Sequence, residues 1–173
     1  MPSSNPSRIR LNSPVTASHA ASLGLFALSL GLPALHMQSV NGYSDAHYTG
    51  LDCLAFGWRT LGSQAAWLAN ACFALAFILS MRSFRLFAAL VGAAGVAISF
   101  STFELLKQTH AFFDPSAHNI QVGAVDIGFY FWLAAQGLLV LVSATLVAFT
   151  WRGRRVREAN ATGTASTAAR AAD

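Results

Sequence analysis

The side chains able to do chemistry gather in two stretches of this 173-residue chain, near residues 36–52 and 104–126. His36, Asp45, His47, Asp52, Glu104, His110, Asp114, His118 and Asp126 lie there, four of the five histidines and five of the seven carboxylates. Neutral imidazole and carboxylate together suit a borderline divalent ion such as zinc or copper. His47, His110, Asp114 and His118 form the candidate metal set. The last three are spaced by four, which aligns them on one helical face, although Pro115 interrupts a continuous helix there. The competing reading is hydrated loop residues, because the spacing matches no strong metal motif.

Other chemistries fare less well. The two cysteines form no C-x-x-C pair. Cys53 and Cys72 fall at unlike depths of the chain's layout, and a disulfide needs Cα atoms within about 7 Å, so both read as free thiols, Cys72 as a small packing residue. His19 and His36 flank one helical run and stand about 25 Å apart along it, too far to ligate one haem iron. Glu104 and Lys107 are three apart, which fits an i,i+3 ion pair at an interface or the handling of a proton or ion. No nucleophile, base and orienting group assemble from motifs, and no cofactor is expected.

The elements that must position these groups are apolar helices. The chain is 54% hydrophobic and 10% charged, against about 25% charged for a soluble domain, and its mean hydropathy is +0.48. Four windows lack Asp, Lys and Arg: residues 20–37, 64–81, 86–106 and 128–150. Each is long enough to cross, since a hydrocarbon core about 30 Å thick needs roughly 20 residues and modest tilt or snorkelling at the ends absorbs the difference. The runs are continuous, not alternating, so the expected fold class is all-α: a polytopic membrane protein with four transmembrane helices in an antiparallel bundle and two outer loops, about Gln38–Ser63 and Lys107–Ile127. The bundle spans residues 19–157, between disordered tails at 1–18 and 158–173 whose composition cannot bury a core.

Charge orients the bundle. Arg8, Arg10, Arg82, Arg85, Arg152, Arg154, Arg155, Arg157 and Arg170 fall on one side, and only Arg59 and Lys107 on the other. The positive-inside rule then puts both termini in the cytoplasm and explains the basic pI without nucleic acid. Trp58, Trp67, Trp132 and Trp151 fall near the ends of the runs, where indole rings favour the headgroups. A cleaved signal peptide is the competing account of the first run, but Leu-Pro-Ala-Leu-His-Met-Gln offers no small-x-small cleavage site.

Helices in lipid associate by close packing and polar bridges. In the third run Ala89, Ala93 and Ala97 recur every fourth residue beside Gly92 and Gly95, a nearly smooth side open to a neighbour. Asn70 and Gln136 sit at similar depth, roughly 10 Å inside. They read as an interhelical hydrogen-bonded layer or, alternatively, as the polar lining of a cavity. Pro33 predicts a bend near the outer end of the first run.

The fragments Gly50-Leu51-Asp52-Cys53-Leu54, Phe56-Gly57-Trp58, Trp67-Leu68-Ala69-Asn70 and Gly128-Phe129-Tyr130-Phe131-Trp132-Leu133-Ala134 resemble a group of small bacterial four-span inner-membrane proteins with no assigned activity. The resemblance covers the first outer loop, the second run and the start of the fourth. It implies a bacterial inner membrane and carries over no catalytic residue. The first functional reading is a noncatalytic accessory, sensing or interaction subunit, with the lipid bilayer and another membrane protein or a second copy as partners. The alternative is a small carrier or metal-handling protein using the outer His/Asp cluster.

Overall fold

The computed structural model describes residues 14–39, 45–60, 65–107 and 120–172. Helix α1 (Pro14–Gly31) leads into strand β1 (Pro33–Ser39); β2 (Asp45–Thr49), α2 (Gly50–Phe56) and a 3-10 turn (Gly57–Thr60) follow. Then come α3 (Leu68–Met81), α4 (Arg85–Ser99), a 3-10 segment (Phe100–Lys107), β3 (Ile120–Val125) and α5 (Ile127–Ala172). Helix α1 packs on α5, α5 on α4 and α4 on α3.

The fold is not all-α, as the apolar runs lead one to expect. Strands β2, β1 and β3 form an antiparallel sheet in that order. The reason is local. Pro33 has no N–H for a helical bond and disfavours helix in the residue before it, so α1 stops at Gly31. Beyond it Leu35, His36, Met37 and Gln38 alternate apolar and polar, the period of a half-buried strand. Leu35, Met37 and Val122 form a buried cluster, packed by Tyr48, Cys53 and Val125. The window 20–37 is therefore a helix and a strand, and the two segments expected as loops supply a cap.

Among the described residues, two helical segments, Arg85–Glu104 and Ile127–Arg155, are long and apolar enough to cross a membrane, whereas Val15–Gly31 and Leu68–Met81 are shorter apolar helices. Residues 1–13 lie outside the described residues. At the other end α5 continues as helix to Ala172 through the Ala-rich stretch, in keeping with alanine's high helix propensity.

Short connections hold the elements. Thr49 caps α2 with a reciprocal box: its hydroxyl accepts from Asp52 N–H at 3.2 Å, and its own N–H donates to Asp52 Oδ2 at 3.0 Å. Trp67 Nε1–H donates to Leu54 O at 2.9 Å, tying α2 to the start of α3. Between α3 and α4 the chain reverses through a Schellman turn, with Phe84 N–H on Leu79 O and Ser83 N–H on Ser80 O. Ser83 takes the left-handed position, φ 66°.

The packed helices bury hydroxyl-bearing side chains and Gln136 together with an apolar core, while many large apolar side chains are exposed on their outside. Ser22, Ser29, Ser80, Ser99, Thr102, Gln136 and Ser143 are buried, and Leu28, Ile78, Leu90, Leu141 and Phe149 are exposed, Leu141 by 65%. Phe26 and Phe73 stack with centroids 4.8 Å apart beside Ala76, Ala135 and Leu139. The face of α4 that packs inside the chain is Ala88, Gly92, Gly95 and Ser99. Ala89 is half-buried, and Ala93 and Ala97 point outward. The helical period of 3.6 explains the choice, since steps of four, three and four hold one face.

Candidate functional site

Three chain segments meet at one face of the sheet. His36 on β1 stands directly opposite His47 on β2, and opposite Ala124 on β3 across its other edge. A bulge between His36 and Met37 breaks the β1–β3 register. Asp126 follows two residues after Ala124, so the period of two returns it to the face of the histidines. Its own N–H donates to Ala34 O at 2.9 Å, which pins it to β1.

The result is a compact cluster. His47 Nδ1–H donates to Asp126 Oδ2 at 3.1 Å; a carboxylate only accepts, which assigns the proton to Nδ1. The His36 and His47 rings meet edge to face with centroids 4.5 Å apart. One ligand atom from each of His36, His47 and Asp126 lies within 4.8 Å of the others. His36 and Asp126 are half-buried, while the His47 side chain is 54% exposed and gives water a way in.

Of the metal set expected from sequence, His47 takes part in this cluster, and His110, Asp114 and His118 lie outside the described residues. Spacing along one segment missed His36 and Asp126, because their neighbourhood is made by strand pairing. A signal was present in part: the alternation around His36 and around His47 marks two short strands with polar residues on one face, whereas Val122 to Val125 carries no such alternation. Asp52 is committed to the α2 cap. Glu104 is exposed on the 3-10 segment.

Beneath the cap lies a largely apolar cavity of about 100 Å³, lined among others by Leu35, Cys53, Trp67, Asn70, Phe129 and Trp132. Asn70 and Gln136 do not bond each other. Trp132 Nε1–H donates to Asn70 Oδ1 at 2.8 Å, joining α5 to α3, and Gln136 Nε2–H donates to Ser99 Oγ at 3.1 Å, joining α5 to α4. Asn70 thus both bridges helices and edges the cavity. Both cysteines are free thiols. Burial, and secondarily the Asp52 carboxylate, push the Cys53 thiol up to about 12, so it is a poor nucleophile at neutral pH.

Compared with protein-family models, curated proteins and solved structures, the chain finds no match. The cluster and its setting therefore stand on their geometry. Two imidazoles and a carboxylate, with one side open to water, are a donor set for a divalent transition metal.

Proposed function

We propose that this chain is an integral membrane protein whose four longer helices, α1, α3, α4 and α5, cross a bacterial inner membrane with both termini cytoplasmic. Its role is a sensing or interaction subunit that binds with its outer cap. The outer surface supports the location: leucines and phenylalanines exposed along the helices, with serine hydroxyls and the Gln136 amide buried between them, suit a hydrocarbon solvent. At roughly 1.5 Å per residue, the 14 residues of α3 are short for a span about 30 Å thick. The exposed apolar residues of the cap, Leu51, Phe56 and Trp58, extend the apolar band at that end. The Arg59 guanidinium lies over the Phe56 and Trp58 rings at 5.5 and 5.7 Å, an arrangement suited to headgroups.

The observation that carries the sensing role is how the cap joins the bundle. Strand β1 leaves α1 after one residue and β3 enters α5 after one residue, and α1 and α5 are themselves a packed pair. Backbone bonds lock the joints: Gly50 N–H donates to Leu32 O at 3.0 Å, and Asp126 N–H to Ala34 O. At Gly128 a Cβ would lie 2.7 Å from Pro33 O, so the two joints touch backbone to backbone. A change in the β1–β3 pairing must therefore move the outer ends of α1 and α5.

Topology is tested with single cysteines in a Cys53→Ala, Cys72→Ala background. Ala46→Cys on exposed β2 should react with a membrane-impermeant maleimide in intact spheroplasts, and Ser83→Cys only after disruption. The opposite pattern reverses the orientation; equal labelling of both in intact cells removes the membrane-spanning reading.

A further inference from the structure

We infer that His36, His47 and Asp126 form a binding site for one divalent transition-metal ion of the borderline class, with zinc the best fit, and that this ion is what the cap senses. The inference rests on the sensing role for the identity of its ligand but not for the existence of the site. Donor chemistry comes first. Imidazole nitrogen and carboxylate oxygen bind zinc at about 2.0–2.2 Å, and three protein ligands plus water complete a tetrahedron with an exchangeable position. Donors around such an ion sit roughly 3.4 Å apart, from those bond lengths and the tetrahedral angle. His47 Nδ1 and Asp126 Oδ2 are already 3.1 Å apart, so an ion between them would replace the Nδ1 proton and bind the Nε2–H tautomer, and the full set lies within 4.8 Å. Closing the widest gap needs an adjustment of about 1.4 Å, within reach of side-chain rotation. Hard ions such as magnesium prefer all-oxygen shells and do not suit two imidazoles.

Placement supports the same ligand. The three donors come from β1, β2 and the β3–α5 joint, so an ion at their centre cross-links every strand of the cap and both helices that leave it. Ala124, opposite His36, leaves the space beside the ring small-sided. The exposed His47 edge supplies the entry path. Asp126 bears on the joint directly, because its side chain would hold the ion while its N–H holds Ala34 O. The alternative is a structural clasp in which His47 bonds Asp126 and His36 packs against the ring, with no role for a metal.

The experiment uses the full-length protein, purified in mild detergent, stripped with chelator and dialysed. Zinc is titrated by calorimetry and retained metal is counted by mass spectrometry, with magnesium as the hard-ion control. The site predicts one zinc per chain, saturable, with no response to magnesium and a rise in Tm that saturates with occupancy. His36→Gln and Asp126→Asn keep size and polarity. Each should weaken zinc binding by about tenfold or more, since even outer-shell losses cost that much, while helicity and zinc-free Tm stay near the parent's. If the variants lose helicity, His47→Gln at the exposed position serves instead. No retained zinc and a zinc-independent Tm leave only the clasp and overturn the proposal. Zinc bound equally by parent and by the triple Gln/Gln/Asn variant places the metal elsewhere and overturns it as well. Hydrogen exchange separates the two readings: zinc bound as predicted, with unchanged protection at the outer ends of α1 and α5, sinks the sensing role and keeps the site. No zinc binding sinks the site and leaves the sensing role in need of another ligand.

Discussion

Cys53 shows how burial reshapes a single residue. Packed against Leu35, Met37 and Val122, its thiol holds its proton to about pH 12 because burial disfavours the thiolate and Asp52 adds to that. In the unfolded chain the thiol ionises near its ordinary value of 9.0. Between pH 9 and 12 the folded state thus binds a proton that the unfolded state has released, so stability falls as pH rises, by up to about 1.4 kcal/mol per pH unit. Below pH 9 this loss is absent. Alkaline melting curves of the parent should decline more steeply than those of Cys53→Ala, and alkylation of Cys53 should be slow until the protein is denatured. Gln136 is a second residue whose partner sets its worth. Its amide donates to Ser99 Oγ, yet that hydroxyl also donates to Gly95 O at 2.9 Å. Gln136→Met should therefore cost only about 1 kcal/mol, read as a small drop in detergent Tm.

At the scale of elements, the α3–α4 hairpin makes opposite demands on two small residues. Ser83 occupies the left-handed position of the turn, which costs a residue with a Cβ roughly 1 kcal/mol relative to glycine. Ser83→Gly should raise Tm with no change in fold. Gly95 lies where the helices touch: a Cβ would sit 2.8 Å from Cys72 Cβ and 3.1 Å from Gln136 Oε1. Gly95→Ala must separate α3 from α4 and should destabilise by about 1–3 kcal/mol. Ala93→Leu, on the outward face, should leave the stability of the single chain unchanged. Loss of an oligomer or a partner on Ala93→Leu would assign that face to association, which equilibrium sedimentation in detergent can decide.

The whole molecule is tested by what its outer surface touches. Leu141, mid-way along the apolar stretch Ile127–Arg155, is 65% exposed. Water outside would make Leu141→Arg nearly neutral, within about 0.5 kcal/mol. Hydrocarbon outside predicts an insertion penalty of roughly 2.5–3.5 kcal/mol for the arginine alone. The membrane-inserted fraction, measured by carbonate extraction, should drop sharply for Leu141→Arg and hold for Leu141→Phe. An unchanged inserted fraction would count against a lipid-facing surface.

Sequence by itself determined the helical character of the chain, the sharp α3–α4 reversal and the two segments rich in ligand-forming residues. These follow from local causes: long apolar runs, Arg82 to Arg85 as a short link, and polar residues excluded from the runs. It also carried the signs of the cap, in Pro33 and in the alternation from Leu35 to Gln38, but a seven-residue strand attached to an apolar helix is hidden by a hydropathy window. Tertiary structure alone decided which ligands meet. His36, His47 and Asp126 are separated by ten and then by dozens of residues, and only the β2-β1-β3 order and the bulge after His36 bring them within 4.8 Å. It likewise decided that Asn70 pairs with Trp132 and Gln136 with Ser99. Similar depth in two helices says which residues can bond, whereas rotation about each helix axis, set by how small faces such as Gly92 and Gly95 pack, says which ones do.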